Sequence, residues 1–316
     1  MSDLGHVVIL AGGLSPEREV SLRSGDRLRD ALQEAGVDVT TADADAALIP
    51  SIIADPPDVV FPAIHGACGE DGSIREVLAL LGVPFVGSTA DASRFAFDKP
   101  TAKAVVRSAG LRTPESVTLP RETFHDLGAS AVLDRIVATL GLPLFVKPAR
   151  GGSALGAARV MTAEELPGAM VGCFAYGDTA LIERYVSGTE VAVGVFDLGP
   201  GPEALPAVEI LPVGGAFDYA ARYTTGQTEF YAPARLPADV AATAAAAAVT
   251  AHSVLGLRDL SRTDLIVSGG EVFFLEVNVA PGMTETSTLP MALEAAGRDL
   301  GAACRDLLCL AAARGS

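Results

Sequence analysis

Four residues near the carboxyl end of the chain have types and spacing that suggest chemistry. Glu276 and Asn278 stand two apart at the end of the apolar run Val272-Phe273-Phe274-Leu275, with Arg262 and Asp264 just upstream in Leu260-Ser261-Arg262-Thr263-Asp264-Leu265-Ile266-Val267. On a strand, side chains two apart leave the same face, about 6.6 Å from one another. Asp264, Glu276 and Asn278 offer only oxygen donors and have no Cys or His nearby, a set suited to a hard cation such as Mg2+ rather than to zinc. Magnesium held in this way usually also holds a nucleotide phosphate. The plain alternative is a hairpin carrying solvated charges. The apolar flanks Phe273-Phe274-Leu275 and Leu265-Ile266-Val267 argue against it, because carboxylates in such strands need partners.

Register decides whether these groups can act together. The segment Val267-Ser268-Gly269-Gly270-Glu271-Val272 must reverse the chain. A two-residue Gly-Gly loop in a regular ladder would oppose Asp264 to Leu275 and turn it away from Glu276. A three-residue loop, Gly269 to Glu271, opposes 264 to 276 and 262 to 278, and puts Arg262, Asp264, Glu276 and Asn278 on one face. The sequence predicts that loop, or a bulge with the same effect.

The elements that must position these residues follow from length and pattern. At 316 residues the chain exceeds a single average core, so two or three domains are expected. An apolar content of 49% with 20% charged residues reads as globular. The net charge of -16 disfavours nucleic acid or an anionic membrane as a main partner, so any phosphate site must be built locally from a few basic groups and backbone N–H groups. Cys68, Cys173, Cys304 and Cys309 form no C-x-x-C pair and read as thiols of a reducing cytosol. The run Val7 to Leu10 is too short for a signal peptide or a membrane helix, and the alanine-rich Ala241 to Ala251 suits a helix only.

Val7 to Leu10 followed by Ala11-Gly12-Gly13 predicts a buried strand, a glycine turn and a helix opened by Ser15, Pro16 and Glu19. Glu17 falls at the carboxyl end of that first strand, where open α/β sheets bind ligands. Asp58 to Ile64 is a second strand, with His65-Gly66 and Gly69-Glu70-Asp71-Gly72 at its end and a helix over Ser73 to Leu81. Val83 to Gly87 is expected as a third strand, and a boundary falls near Asp98. Further on, strands at Leu142 to Pro148 and Ala157 to Met161 flank the loop Gly151-Gly152-Ser153-Ala154-Leu155-Gly156. That loop lacks G-K-[ST] and no helix follows it, so it is neither a Walker loop nor a dinucleotide fingerprint. It is expected to be a flexible phosphate cover, with backbone N–H groups and Lys147 facing the anion. Leu181 to Val186 is another strand or a connector, with Glu190 beyond it, and the second boundary falls here. Phe217 to Pro233 is polar, aromatic and long enough for a lid or binding loop, unless it is a surface excursion. Residues 237–254 form a helix, and a terminal helix runs from about Pro290 to Ala313.

Taken in order, these segments resemble the D-alanine:D-alanine ligases of the ATP-grasp superfamily. The matching pieces are Gly12-Gly13-Leu14-Ser15-Pro16-Glu17-Arg18-Glu19-Val20-Ser21, His65-Gly66 with Gly69-Glu70-Asp71-Gly72, Asp98-Lys99, Val146-Lys147-Pro148 with Gly152-Ser153, Glu183, the Tyr223 loop, Arg262 with Asp264, and Glu276-Val277-Asn278 with Pro281-Gly282-Met283-Thr284. Each is weak alone; the ordered set, spanning residues 7 to about 291, is specific. The resemblance implies an α/β (α+β) ATP-grasp fold of three α/β domains, here 1–98, 99–183 and 184–316, with ATP between the second and third. It implies that ATP phosphorylates one D-alanine, whose acyl phosphate is attacked by the amine of a second. Lys99 and Lys147 would contact the ATP phosphates, Glu183, Arg184, Tyr185 and Val186 the adenine, and Glu190 the ribose. Asp264, Glu276 and Asn278 would hold two Mg2+ ions, or Mn2+ in their place, and Arg262 with the Gly282 N–H would stabilise charge on the substrate carboxylate.

By the same resemblance Glu17 would bind the first ammonium and link through Tyr223 to Ser153, while His65 would sit near the first substrate and Ser287 with Arg222 would receive the second carboxylate. A cytoplasmic homodimer making cell-wall precursors is implied, with D-alanine and ATP as its small-molecule partners. The chain departs from the family pattern at Ala154, where a second serine is usual, and at Arg222, where lysine is usual. Val279 in place of threonine and Pro100 after Lys99 are further departures. They bear on substrate identity more than on catalysis, leaving open a sister ligase for other amino acids. A non-catalytic nucleotide-binding module is the remaining alternative, opposed by the complete set Arg262, Asp264, Glu276 and Asn278.

Overall fold

The computed structural model describes residues 4–213 and 226–315, so Arg222 and Tyr223 lie outside the described residues. Three sheets follow one another along the chain. The first is parallel and contains β1 (Val7–Ala11), β2 (Val39–Asp43) and β3 (Val59–Pro62) in the order β2-β1-β3. Every residue of β1 is buried, as suits the middle strand of a parallel sheet covered on both faces. Val83 to Gly87 does not become a full third neighbour. It makes one parallel bridge, Phe85 to Val60, because Pro84 has no N–H to donate and Gly87 leaves the extended region at φ 106.

The second sheet is antiparallel, with β4 (Ser116–Pro120), β5 (Leu144–Pro148), β6 (Ala158–Val160) and β7 (Thr179–Arg184) in the order β4-β7-β5-β6. Along β5 the side chains alternate. Leu144 and Val146 enter a core with helices Ala129–Leu140 and Leu166–Phe174, while Phe145 and Lys147 face the cleft on the other side. The third sheet takes β8 (Thr189–Asp197), β9 (Pro202–Ala204), β10 (Val208–Pro212), β11 (Thr228–Tyr231), β12 (Leu260–Ser268) and β13 (Glu271–Asn278), in the order β11-β10-β8-β12-β13 with β9 beside β8.

Helix packing ties the sheets together. The alanine-rich helix Ala238–Val254 lies on the third sheet, with Ala244, Ala248 and Ala251 fully buried. Helices Ala90–Phe97 and Lys99–Ser108 straddle the boundary expected near Asp98, and both pack into that same core. The expected terminal helix is two, Thr288–Ala295 and Leu300–Arg314. Gly297, at φ 67, ends the first, and Asp299 caps the second by accepting from the Ala302 N–H at 2.7 Å. The last helix returns to the first sheet, where Leu307 and Leu308 join Val7, Ile9, Leu28 and Leu32 in one core. Its crossing with helix Arg18–Glu34 is so close that a Cβ on Gly301 would sit 2.1 Å from the Ala31 carbonyl oxygen. Ser15 does not cap that helix as expected. Glu17 is the cap residue, and Ser15 Oγ instead accepts from the Glu17 N–H at 3.1 Å and donates to the His65 carbonyl at 2.9 Å.

Candidate active site

The β12–β13 hairpin takes the second of the two routes the sequence allowed. Ser268 pairs with Glu271, so the loop is the two-residue Gly269-Gly270 turn, and both glycines have positive φ, 58 and 83. A bulge follows, in which Leu265 pairs with Phe274 while Asp264 pairs with Glu276, leaving Leu275 as the extra residue. The bulge restores the pairs Asp264 to Glu276 and Arg262 to Asn278, and all four polar side chains line one cleft. Leu275 does not point away, as it would in a regular ladder, but lines the neighbouring cleft beside Glu276.

Two clefts meet over this hairpin. The larger, of about 1720 Å³, lies between the second and third sheets, where Lys147, Glu183, Arg184, Tyr185, Val186 and Glu190 are among its lining residues. The smaller, of about 910 Å³, reaches toward the first sheet and is lined by Glu17, His65, Ser153, Arg262, Asn278, Gly282 and Ser287. Lys99, Gly151, Gly152, Asp264 and Glu276 line both. Among the described residues, Lys147, Glu183 to Val186 and Glu190, expected to grip a nucleotide, line one cleft, and Glu17, His65 and Ser287, expected to grip small zwitterions, line the other. Lys99, Asp264 and Glu276 stand at the junction, with Asn278 on its smaller-cleft side.

Lys99 opens the helix Lys99–Ser108, and its Nζ donates to the Gly151 carbonyl at 2.5 Å and lies 3.6 Å from Glu276 Oε2. The glycine loop is further latched by Arg150 Nε donating to Asp98 at 3.0 Å. Within the loop Ser153 adopts φ 53, in the left-handed region that side chains rarely enter, and from there its hydroxyl donates to the Glu17 carboxylate. Strain of this kind costs on the order of 1 kcal/mol and persists where the surroundings enforce it. Lys147 pairs with Glu183 at 2.9 Å; burial opposes its charge, but the Glu183 and Glu276 carboxylates raise its pKa above the ordinary lysine value.

Arg262 grips Asp264 through two bonds, Nε to Oδ1 at 2.7 Å and Nη2 to Oδ2 at 2.8 Å. Burial opposes the guanidinium charge, yet the Asp264 carboxylate more than offsets it and Arg262 is held above its ordinary value. Asn278 Oδ1 accepts from the Ala280 N–H at 2.7 Å. Among the described residues no three His, Cys, Asp or Glu side chains close around a metal. The third donor is an amide, and ligand phosphate oxygens must complete any coordination sphere. Arg262 and Lys99 sit against Asp264 and Glu276 as cations do, and with the oxygen-only donors this fits Mg2+.

His65 is buried and carries a defined tautomer. Its Nδ1 lies 3.1 Å from the Ala280 carbonyl, which can only accept, so Nδ1 bears the hydrogen and Nε2 accepts from Ser24 Oγ at 2.9 Å. Ser24 Oγ in turn accepts from the Met283 N–H at 3.1 Å, so His65 braces the turn that carries Gly282. Burial pushes the imidazole down to about 4, and it is neutral at ordinary pH. Gly282 has no room for a side chain, since a Cβ there would meet Ser287 Oγ at 2.6 Å. Ser287 Oγ accepts from the Thr284 N–H at 3.0 Å and lies 2.9 Å from Thr284 Oγ1.

Sequence reasoning left Glu70 without a role, although it lies in a motif already singled out. Its carboxyl is buried beside that of Glu17 in the smaller cleft, and a Cβ on Gly152 would be 3.4 Å from Glu17 and 3.6 Å from Glu70. Desolvation, helped by the Glu17 charge, pushes Glu70 up to about 8. Leu275 was missed because only the bulge turns it into the larger cleft.

Comparison with known proteins places this geometry. The family model described as "D-ala D-ala ligase C-terminus" matches residues 105–308, and that described as "D-ala D-ala ligase N-terminus" matches residues 46–88. A D-alanine--D-alanine ligase of Anaeromyxobacter sp. (strain K) is 40% identical over 304 residues, 96% of each chain. The chain belongs to the D-alanine–D-alanine ligase family. That of Geobacter sulfurreducens is 39% identical over 92% of this chain and 88% of its own. Among solved structures, VanG D-Ala:D-Ser ligase from Enterococcus faecalis aligns with a TM-score of 0.83 at 29% identity, covering 97% of this chain and 99% of its own. The Bacillus anthracis D-alanine--D-alanine ligase complexed with ATP aligns at 0.80 and 27% identity, covering 98% and 97%. The fold is the ATP-grasp fold of these ligases. No helix among the described residues is long and apolar enough to cross a membrane.

Proposed function

We propose that this protein joins two D-alanines with ATP through an acyl phosphate, supplying D-alanyl-D-alanine for peptidoglycan precursors. The observation that carries the reading is the junction of the two clefts over Asp264 and Glu276, where a phosphoryl donor and a carboxylate acceptor would meet. Lys99 and Lys147 would hold phosphates, Glu183 to Val186 the adenine, and Glu190 the ribose. Asp264, Glu276 and Asn278 would hold Mg2+, or Mn2+ in its place, which when bound neutralises charge on the transferring phosphoryl group. Glu17, with Glu70 beside it, would receive the first ammonium and so aim that substrate's carboxylate at the junction. The carboxylate oxygen takes the phosphoryl group, a second amine that has lost a proton attacks the acyl carbon, and phosphate leaves. Arg262 and the Gly282 N–H would stabilise the negative charge on the carbonyl oxygen during that attack, while Ser287 and Arg222 would hold the second carboxylate.

The Ser153 hydroxyl bonded to Glu17 supports the lid arrangement, in which Tyr223 would close over the site and exclude water from the acyl phosphate. Phenylalanine at Tyr223 should raise phosphate release relative to dipeptide formed; an unchanged ratio removes Tyr223 from the mechanism. The division into 1–98, 99–183 and 184–316, a cytoplasmic location and a homodimer belong to the same reading. Purified protein incubated with ATP, Mg2+ and a panel of D-amino acids, L-amino acids and D-lactate tests it, with phosphate release followed and products identified by mass spectrometry. D-alanine alone should give efficient release and the dipeptide. Failure of D-alanine with joining of another acid and amine would assign a different substrate, tracing to departures such as Ala154 and Arg222. No turnover with any pair despite ATP binding would leave a non-catalytic module.

A further inference from the structure

Lys103 is a buried lysine that the reaction does not call for. It lies one turn after Lys99 on the helix Lys99–Ser108, is 1% exposed, and reaches two separate elements. Its Nζ lies 2.6 Å from Glu183 Oε1, on β7 of the second sheet, and donates to the Phe274 carbonyl of β13 at 3.2 Å. The other Glu183 oxygen pairs with Lys147 at 2.9 Å.

Each contact has a local reason. The strand β13 is at the edge of the third sheet, and the Phe274 N–H already donates outward, to the Arg112 carbonyl at 2.8 Å. In an antiparallel ladder a residue's N–H and C=O point to the same side, so the Phe274 carbonyl also faces outward, where no strand among the described residues continues the sheet. Lys103 satisfies it at the residue just before the bulged Leu275. Glu183 is 2% exposed, and a carboxylate buried this deeply keeps its charge only with a cation beside it. Burial opposes its charge, but Lys147 and Lys103 together hold its pKa below the usual carboxylate value.

We propose that Lys103 is a positioning residue for the nucleotide, holding Glu183 so that Lys147 stays free to turn toward phosphate and fastening the adenine-side strand β7 to the metal-side strand β13. The proposal rests on reading the larger cleft as the ATP site. Lys103 would not touch ATP. Without it the remaining cationic partner of buried Glu183 among the described residues is Lys147, which is then drawn away from the phosphates, and the two walls of the cleft lose a shared anchor. One side of the site should suffer and the other should not.

The test is isothermal titration of ADP with Mg2+ into the full-length protein without D-alanine, alongside KM values for ATP and D-alanine. Lys103→Met should weaken ADP binding and raise the KM for ATP by roughly tenfold, while the D-alanine KM values stay within about twofold. A lysine of merely structural value would lower the melting temperature and the active fraction without changing ADP affinity per folded molecule. Lys103→Met combined with Glu183→Gln removes the carboxylate that the lost lysine would leave short of a partner, and Lys147 keeps the attraction of Glu276 both there and in Glu183→Gln, so these two variants are compared for ADP affinity per folded molecule where the single lysine variant does not fold. If Lys103 acts through Glu183, these two bind ADP equally. Additive losses, or an unchanged ADP affinity in Lys103→Met, overturn the proposal while leaving the cleft reading intact; a wild-type protein that binds no ADP overturns both.

Discussion

Glutamine in place of Glu70 should change how stability depends on pH. Glu70 is buried, with Glu17 as its charged neighbour and the Gly66 N–H, at 3.3 Å, as a donor to its Oε1. Its pKa rises from 4.5 to about 8 on folding. Between those values the folded protein keeps a proton that the unfolded chain has released, so stability is complete below about 4.5 and is lost as the pH climbs toward 8. A span of about 3.5 units at about 1.4 kcal/mol per unit sets an upper bound of roughly 5 kcal/mol. Water entry relieves some of the burial, so about 2–5 kcal/mol is the range to expect. Glutamine keeps the shape and the acceptor for Gly66 but does not titrate. Urea denaturation of both proteins at pH 5 and pH 8.5 should show Glu70→Gln gaining relative to wild type by about that range between the two. Parallel profiles would refute a protonated Glu70. D-alanine should offset the wild-type loss at high pH, because an ammonium beside Glu17 and Glu70 offsets their mutual repulsion.

Glu276→Gln should keep the fold but reduce turnover by on the order of a hundredfold or more, since it removes a charged donor from the junction. Near-normal activity at saturating Mg2+ would refute the metal assignment. Gly301→Ala inserts a methyl group 2.1 Å from the Ala31 carbonyl oxygen at the crossing of the first and last long helices. It should destabilise the protein by about 1–3 kcal/mol, read as a lower melting temperature, with KM values of the folded fraction unchanged. Altered KM values would mean that this crossing shapes the site.

Much of the site could be read directly from the chain because it sits on one hairpin. The period of two along a strand, together with the Asp264 and Glu276 spacing across a Gly-Gly turn, leaves few registers that pair like with like, and β5 shows the same alternation at Lys147. Oxygen-only donors and the glycine loop likewise announce their chemistry by type. What the sequence could not choose was between a longer loop and a bulge, since both put the same four side chains on one face. Only the structure shows Leu275 displaced into the cleft.

The remaining features depend on separate sheets meeting. Glu70 comes beside Glu17, and Lys103 beside Glu183, through packing between elements distant in sequence, and no local periodicity records such a meeting. The same holds for the last helix, whose small Gly301 lets it return to the first sheet, and for the helices around Asp98, whose alanine and valine faces suit more than one neighbour. Local geometry is set by bonds and spacing within a few residues. The company that buried charges keep is set by which surfaces pack together, and that was decided by the tertiary structure.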